Sequence, residues 1–120
     1  MPINIKRAYD EYDKADGMRI LVDRMWPRGI SKAEAHLDEW EKEVAPSEEL
    51  RKWFDHDPEK YKSFKEKYKQ EMKDNKLQKE SLNKLKKWTK QHEKNITLIY
   101  GAKDEKYNHA KVLKEILDHQ

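Results

Sequence analysis

The sequence contains no cysteine, and that single absence removes disulfides, thiol catalysis and cysteine-ligated metal together. It also lacks any apolar run approaching the length of a membrane span. The opening "MPINIKRAYD" meets charge before an apolar region forms, so no secretory leader is read there. Phosphate-binding loops, GxGxxG, GxSxG and HExxH are missing too, which disfavours common nucleotide hydrolysis, serine hydrolysis and a dedicated metal site. A cytoplasmic protein without a membrane partner is expected.

What is present is charge. Charged residues make up 42% of the chain against 35% hydrophobic, so the core is small for 120 residues. Disorder is nevertheless not expected, because Trp26, Trp40, Trp53 and Trp88 accompany periodic apolar stripes. The net charge of +3 is uneven: Glu59 to Lys94 holds 13 lysines against 6 acidic residues, and the remainder 14 basic against 18 acidic.

"INIKRAY", "RILVDRMW" and "NITLIYGA" read as strands. The link "DEYDKADG" is too short for a full crossover helix, so the first two strands are either antiparallel neighbours or flank a third, and their relative direction stays open. "SKAE" is a capping box, predicting a helix that carries Leu37, Trp40 and Val44 and ends before Pro46. Ser47 caps a short helix in "SEELRKWF". Asp57 and Pro58 start a longer one with Tyr61, Phe64, Tyr68 and Met72 on its buried face. After a break at "KDNK", Leu77, Leu82, Leu85 and Trp88 form another stripe, and Trp40, Trp53 and Trp88 read as core. A final helix lays Ala110, Val112, Leu113, Ile116 and Leu117 against the sheet. The pattern predicts a single α/β domain over residues 1–120: a small, mostly parallel sheet with helices packed on it in two or three layers, "ILV" and "ITLIY" central.

Both best strands run apolar and then deliver polar groups: Asp23, Arg24 and Arg28 after one, Lys103, Asp104, Asn108 and His109 after the other. Ligands of open α/β sheets bind outside the carboxyl ends of strands, so parallel neighbours would bring both sets to one cleft. Arg24 and Arg28 suit a carboxylate or phosphate, with Trp26 as a wall and His56 and Asn108 as further ligand contacts. Asp23, Asp104 and His109 are the candidate catalytic groups, a carboxylate orienting the imidazole for proton transfer. The plainer reading makes Arg24 a clamp on Asp23 or a nearby glutamate, Arg28 a solvated side chain, and Asp104 or Asn108 a helix cap. Asp55, His56 and Asp57 offer metal ligands, but sequence neighbours rarely point at one centre, so no metal is assigned.

The segments "IKRAYD", "RILVDRMWPRGISK", "LDEWEKEVAPSEELRKWFDHDPEKY", "FKEKY" and "LIYGAKDEKYNHAKVL" together resemble the YeaO-like branch of domain-of-unknown-function family 488, small bacterial and archaeal proteins. The resemblance implies no established activity, and the cofactor is left unknown. It does imply that Asp23 to Gly29, with His56, Asp57, Pro58, Asp104, Asn108 and His109, belong to the family pattern. A metal or redox reading tied to cysteines of longer relatives loses its basis here, and no recognition-helix motif supports a transcription-regulator label. The expected function is binding of a small anion, a phosphorylated metabolite or nucleotide-like ligand, with or without catalysis. The alternative is binding of nucleic acid or an acidic partner through the lysine-rich helices 59–94. Oligomeric state is left open.

Overall fold

The computed structural model describes residues 3–91 and 95–120. Its sheet is built from β1 (Ile3–Arg7), β2 (Met18–Leu21), β3 (Glu39–Trp40) and β4 (Ile96–Tyr100), in the order β1-β4-β2-β3. Every pairing is parallel, β4 lying between β1 and β2 with Ile3 opposite Ile96 and Met18 opposite the same residue. The first two strands therefore flank a third. Residues 8–17 suffice for the return because ten extended residues reach about 33 Å, more than one short strand plus two strand spacings.

Side chains alternate between two unlike faces. Ile20 of β2, Val22 just beyond its end, and Ile96, Leu98 and Tyr100 of β4 enter the main core with Phe64, Met72, Leu85 and Leu113. That face carries the four long helices: α2 (Glu48–Phe54), α3 (Tyr61–Asp74), α4 (Lys76–Gln91) and α5 (His109–Asp118). Their boundaries follow the capping chemistry. Ser47 accepts from the Leu50 N–H, Asp57 from the Glu59 N–H, Asn75 from the Gln78 N–H and Asn108 from the Lys111 N–H. Among the described residues no helix is long and apolar enough to cross a membrane.

Among the described residues, the second face is covered by α1 (Lys32–Ala35), residues 8–17 and the segment after β2. A polar cluster closes it. Arg19, with a side chain 2% exposed, donates from Nη1 to Asp16 at 2.5 Å and from Nε and Nη2 to the Ala35 carbonyl. Lys6 reaches the same Asp16 carboxylate at 3.1 Å, and Thr97 Oγ1 donates to the Asp16 carbonyl. Burial pushes the Asp16 carboxyl up, but the Asp13 N–H, Lys6 and Arg19 outweigh it and hold it below its ordinary value. Gly17 seals the link: at φ +68° it sits so close to Asn95 that a Cβ would lie 2.0 Å from that carbonyl oxygen.

Two expectations are corrected here. The capping box forms, Ser31 accepting from Glu34 N–H and Glu34 from Ser31 N–H, yet the helix ends after one turn at His36, whose φ is 48°. Leu37, Trp40 and Val44 therefore share no helix. Residues 38–41 instead pair along β2, Asp38 N–H to the Arg19 carbonyl and Glu41 N–H to that of Leu21, because the outer edge of β2 would otherwise keep unpartnered backbone groups. Trp40 and Trp53 are each 37% exposed rather than core.

Replacing Arg19 by alanine removes one of the two cations that hold the Asp16 carboxylate, Lys6 remaining, and should cost about 1.5–3 kcal/mol in urea denaturation. Because the Asp16 value is depressed on folding, its contribution is present above the unfolded carboxylate range and fades as pH falls through the folded value. Asp16→Asn should flatten the acid limb of the stability curve. An Arg19→Ala loss below about 1 kcal/mol would contradict this account.

Candidate functional site

The parallel arrangement of β2 and β4 places their carboxyl ends side by side, and a cavity of about 240 Å³ opens there. Val22 extends the ladder through its N–H to the Ile99 carbonyl, after which the chain leaves the sheet and the Asp23 side chain turns across the end of β4. Its Oδ2 accepts from the Gly101 N–H at 2.8 Å, and its Oδ1 lies 3.0 Å from His109 Nε2. A Cβ on residue 101 would stand 3.1 Å from that carboxylate, so glycine leaves room for the approach.

His109 occupies the first turn of α5, and its Nε2 also lies 3.0 Å from the Val22 carbonyl. With two acceptors at Nε2 the proton belongs there, leaving Nδ1 as the free ring nitrogen. The hydrogen is directed at Val22, so Asp23 Oδ1 is buried without a donor and is balanced by the edge of the imidazole instead. Behind the ring stands Tyr68, fully buried, edge-on at 6.4 Å and donating its hydroxyl to the Val44 carbonyl; burial pushes that phenol well up.

The other lining groups come from the loops and from α2. Arg24 donates from Nε to the Pro46 carbonyl at 3.2 Å and from Nη2 to that of Ala45 at 3.1 Å, with Glu43 at 3.5 Å from Nη1. It fastens residues 43–46 to the end of β2 while adding charge to the cavity. His56 reaches the rim through two successive left-handed residues, Asp55 at φ 45° and His56 at φ 53°, a costly conformation of the kind that clusters at ligand sites. Arg51 of α2 lines the same cavity, and no carboxylate pairs with it among the described residues. Phe54, Phe64 and Tyr107 supply the apolar walls.

Of the residues singled out from the sequence, Asp23, Arg24, His56, Asn108 and His109 converge on the cavity. Asn108 is buried as the α5 cap, its Nδ2 donating to the Asp104 carbonyl. Asp104 does not line the cavity. Its carboxylate accepts from Lys106 and Tyr107 N–H, and those two bonds hold its pKa below the ordinary value. Trp26 and Arg28 also lie elsewhere. The Trp26 indole donates to the Ile30 carbonyl at 2.6 Å and packs against Leu21 and Ile99 on the second face, and Arg28 is exposed, its carbonyl accepting from the Tyr9 hydroxyl. The reason is the strand period: past Val22 the chain crosses to the thinly covered face, and the polar side chains part company.

Arg51 escaped the sequence reading because nothing in "SEELRKWF" distinguishes it from a solvated helix residue. Its one signal is position, one turn before Asp55 and close to His56. No group of three or more metal-ligating side chains assembles among the described residues. Of the lysine-rich segment, residues 92–94 lie outside the described residues. Within the rest, Lys60 and Lys67 cover the face of Trp53, Lys65 and Lys69 pair with Glu115, and Trp88 is half-buried.

Asp23→Ala leaves the Gly101 N–H without its acceptor and should cost about 1–3 kcal/mol in denaturant titration. Arg28→Ala should stay within about 0.5 kcal/mol. Equal effects of the two substitutions would contradict the geometry.

Residues 2–120 match the family model described as the inactive DUF488-N3 subclade. The uncharacterized protein YeaO of Escherichia coli strain K12 is 44% identical over 117 residues, covering 98% of this chain and 97% of that protein. The uncharacterized proteins Rv3073c of Mycobacterium tuberculosis H37Rv and Mb3100c of Mycobacterium bovis are each 36% identical over 116 residues, covering 97% of this chain and 93% of theirs. No solved structure matches the chain. With the match running over nearly its whole length, the chain belongs to the DUF488 family, in the subclade described as inactive DUF488-N3.

Proposed function

We propose that this chain is a binding domain that holds a compact anion, of the phosphorylated-metabolite class, in the cleft at the carboxyl ends of β2 and β4, without turning it over. One observation carries the reading. Arg24, Arg51, His56 and His109 converge on a cavity whose one lining carboxylate, Asp23, is engaged by Gly101 and His109. An anion entering the cleft meets cationic and cationisable groups and the amino end of α5, with the single lining carboxylate turned to the Gly101 N–H and the His109 ring. Arg51 is assigned the direct contact, since the Arg24 guanidinium is partly spent on carbonyls.

Size and walls narrow the ligand. About 240 Å³ lies below the usual range of drug-sized pockets, roughly 300–1,000 Å³, which favours a single phosphate on a sugar-sized body over a dinucleotide. Phe54, Phe64 and Tyr107 give that body an apolar surface. Binding without turnover is supported by the description of the matched family as inactive and by the engagement of Asp104 in its own turn. On this reading Asp23 and His109 are positioning residues that hold the α5 amino end against the sheet.

The test is thermal unfolding with inorganic phosphate, ribose 5-phosphate, AMP and malate, for the native chain and for Arg51→Ala, His56→Ala and Arg28→Ala. At one hundred times the dissociation constant a bound ligand adds about 2.7 kcal/mol, enough to raise Tm by several degrees. A phosphate-bearing compound should stabilise the native chain and Arg28→Ala, and the shift should vanish in Arg51→Ala and His56→Ala. Failure of all four compounds, or an unchanged shift in Arg51→Ala and His56→Ala, would overturn the assignment.

A further inference from the structure

Thiols and thioethers are the side chains that oxidants attack most readily, and with no cysteine in the chain that role falls to methionine. The described residues hold three methionines in unlike settings. Met72 is 2% exposed in the main core and Met18 of β2 is half-buried, whereas Met25 is 71% exposed, the most open large apolar side chain among the described residues. Susceptibility to oxidation follows access to the sulfur, so Met25 stands well ahead of the other two.

Met25 also lines the strand-end cleft, together with Arg24 and Arg51. A side chain that lines a cleft while standing mostly in solvent belongs to its rim. The chain on either side is fastened. The Asp23 carbonyl accepts from the Trp40 indole at 2.7 Å, the Arg24 guanidinium holds the Ala45 and Pro46 carbonyls, and the Trp26 indole donates to the Ile30 carbonyl at 2.6 Å. Chemistry at the Met25 sulfur therefore acts on the cleft and leaves these anchors in place.

We propose that Met25 is a reversible oxidation site whose sulfoxide takes a hydrogen bond from Arg51 and so closes the cleft. The oxidant is hydrogen peroxide. An S–O bond forms as the peroxide O–O bond breaks, the sulfur gives up two electrons, and the second peroxide oxygen leaves as water. The flexible apolar thioether becomes a polar group with a strong acceptor oxygen. Arg51 is the guanidinium that can answer it, because Arg24 spends Nε and Nη2 on carbonyls and no carboxylate pairs with Arg51 among the described residues. Reduction by a thiol-dependent methionine sulfoxide reductase reverses the step: the oxygen leaves as water and two thiols become a disulfide. The closing of the cleft to an anion rests on the binding reading above; the oxidation site and its bond to Arg51 do not.

The test treats the full chain with hydrogen peroxide, maps added oxygen by peptide mass spectrometry, and records arginine Nε NMR signals with no ligand present. Met25 should gain one oxygen about tenfold or more faster than Met18 and Met72. The Arg51 signal should move on oxidation while that of Arg28 stays still, and methionine sulfoxide reductases A and B with dithiothreitol should restore it. In Met25→Leu, peroxide should move neither signal. Ribose 5-phosphate should bind the oxidised chain about fivefold or more weakly than the untreated one, the worth of one competing hydrogen bond. Oxidation of Met18 as fast as Met25, an unmoved Arg51 signal, a peroxide-dependent shift that persists in Met25→Leu, or equal phosphate affinity before and after oxidation would each overturn the inference. If the untreated chain binds no ribose 5-phosphate, the anion reading falls, and the ligand-free results still decide the oxidation site.

Discussion

The carboxylate of Asp23 ties together three pieces of chain that are far apart in sequence: the end of β2, the end of β4 through Gly101, and the first turn of α5 through His109. In a parallel sheet the strand ends are where backbone pairing runs out. A short acidic side chain placed one residue beyond Val22 closes that end by hydrogen bonding. The same contact fixes where the amino end of α5 sits, and hence the depth of the cleft. Arg24 does a comparable job one residue later, holding the 43–46 segment by its carbonyls. The floor of the cleft is therefore set by its polar groups, while Phe54, Phe64 and Tyr107 line it.

The unequal faces of the sheet follow from how little apolar material the chain has. Helices α2 to α5 spend most of it on one side, and the other side is closed by the Arg19, Asp16 and Lys6 cluster with a few apolar contacts around Leu21 and Ile99. A buried guanidinium at β2 can be tolerated because Ala35, Asp16 and the Tyr12 ring occupy its donors and its face. This arrangement leaves the helical layer free to display charge. Its lysines are not uniform decoration: some serve Glu115 or cover Trp53, and those beside Met72 and Leu82 do neither.

Much of this was legible locally. The apolar runs of β2 and β4 mark the central strands, and Ser47, Asp57 and Asn108 cap helices as their side-chain chemistry dictates. Strand-end polar groups predicted a cleft, and Asp23, Arg24, His56, Asn108 and His109 line it. What was not legible depends on distant partners. The capping box at Ser31 is real, yet the open edge of β2 recruits residues 38–41 and ends the helix, a choice that no local window reveals. Trp26 and Arg28 stand beside Asp23 in the sequence, but the turn of the chain past Val22 sends them to the opposite face. Arg51 and Arg19 look alike as letters; only the fold makes one a cavity lining and the other a buried clamp.

The central proposal is that an anion is held at the strand ends by Arg51 and His56, in a cleft that the His109 ring also lines. Side-chain NMR tests it most directly, following the histidine ring and arginine Nε signals of the full chain during titration with ribose 5-phosphate. The account predicts saturable shifts of the His56, His109 and Arg51 signals with a common midpoint, while Arg28 and the His36 ring, on the other face, stay still. Shifts confined to Arg28 or the surface lysines, or rising linearly without saturation, would contradict it.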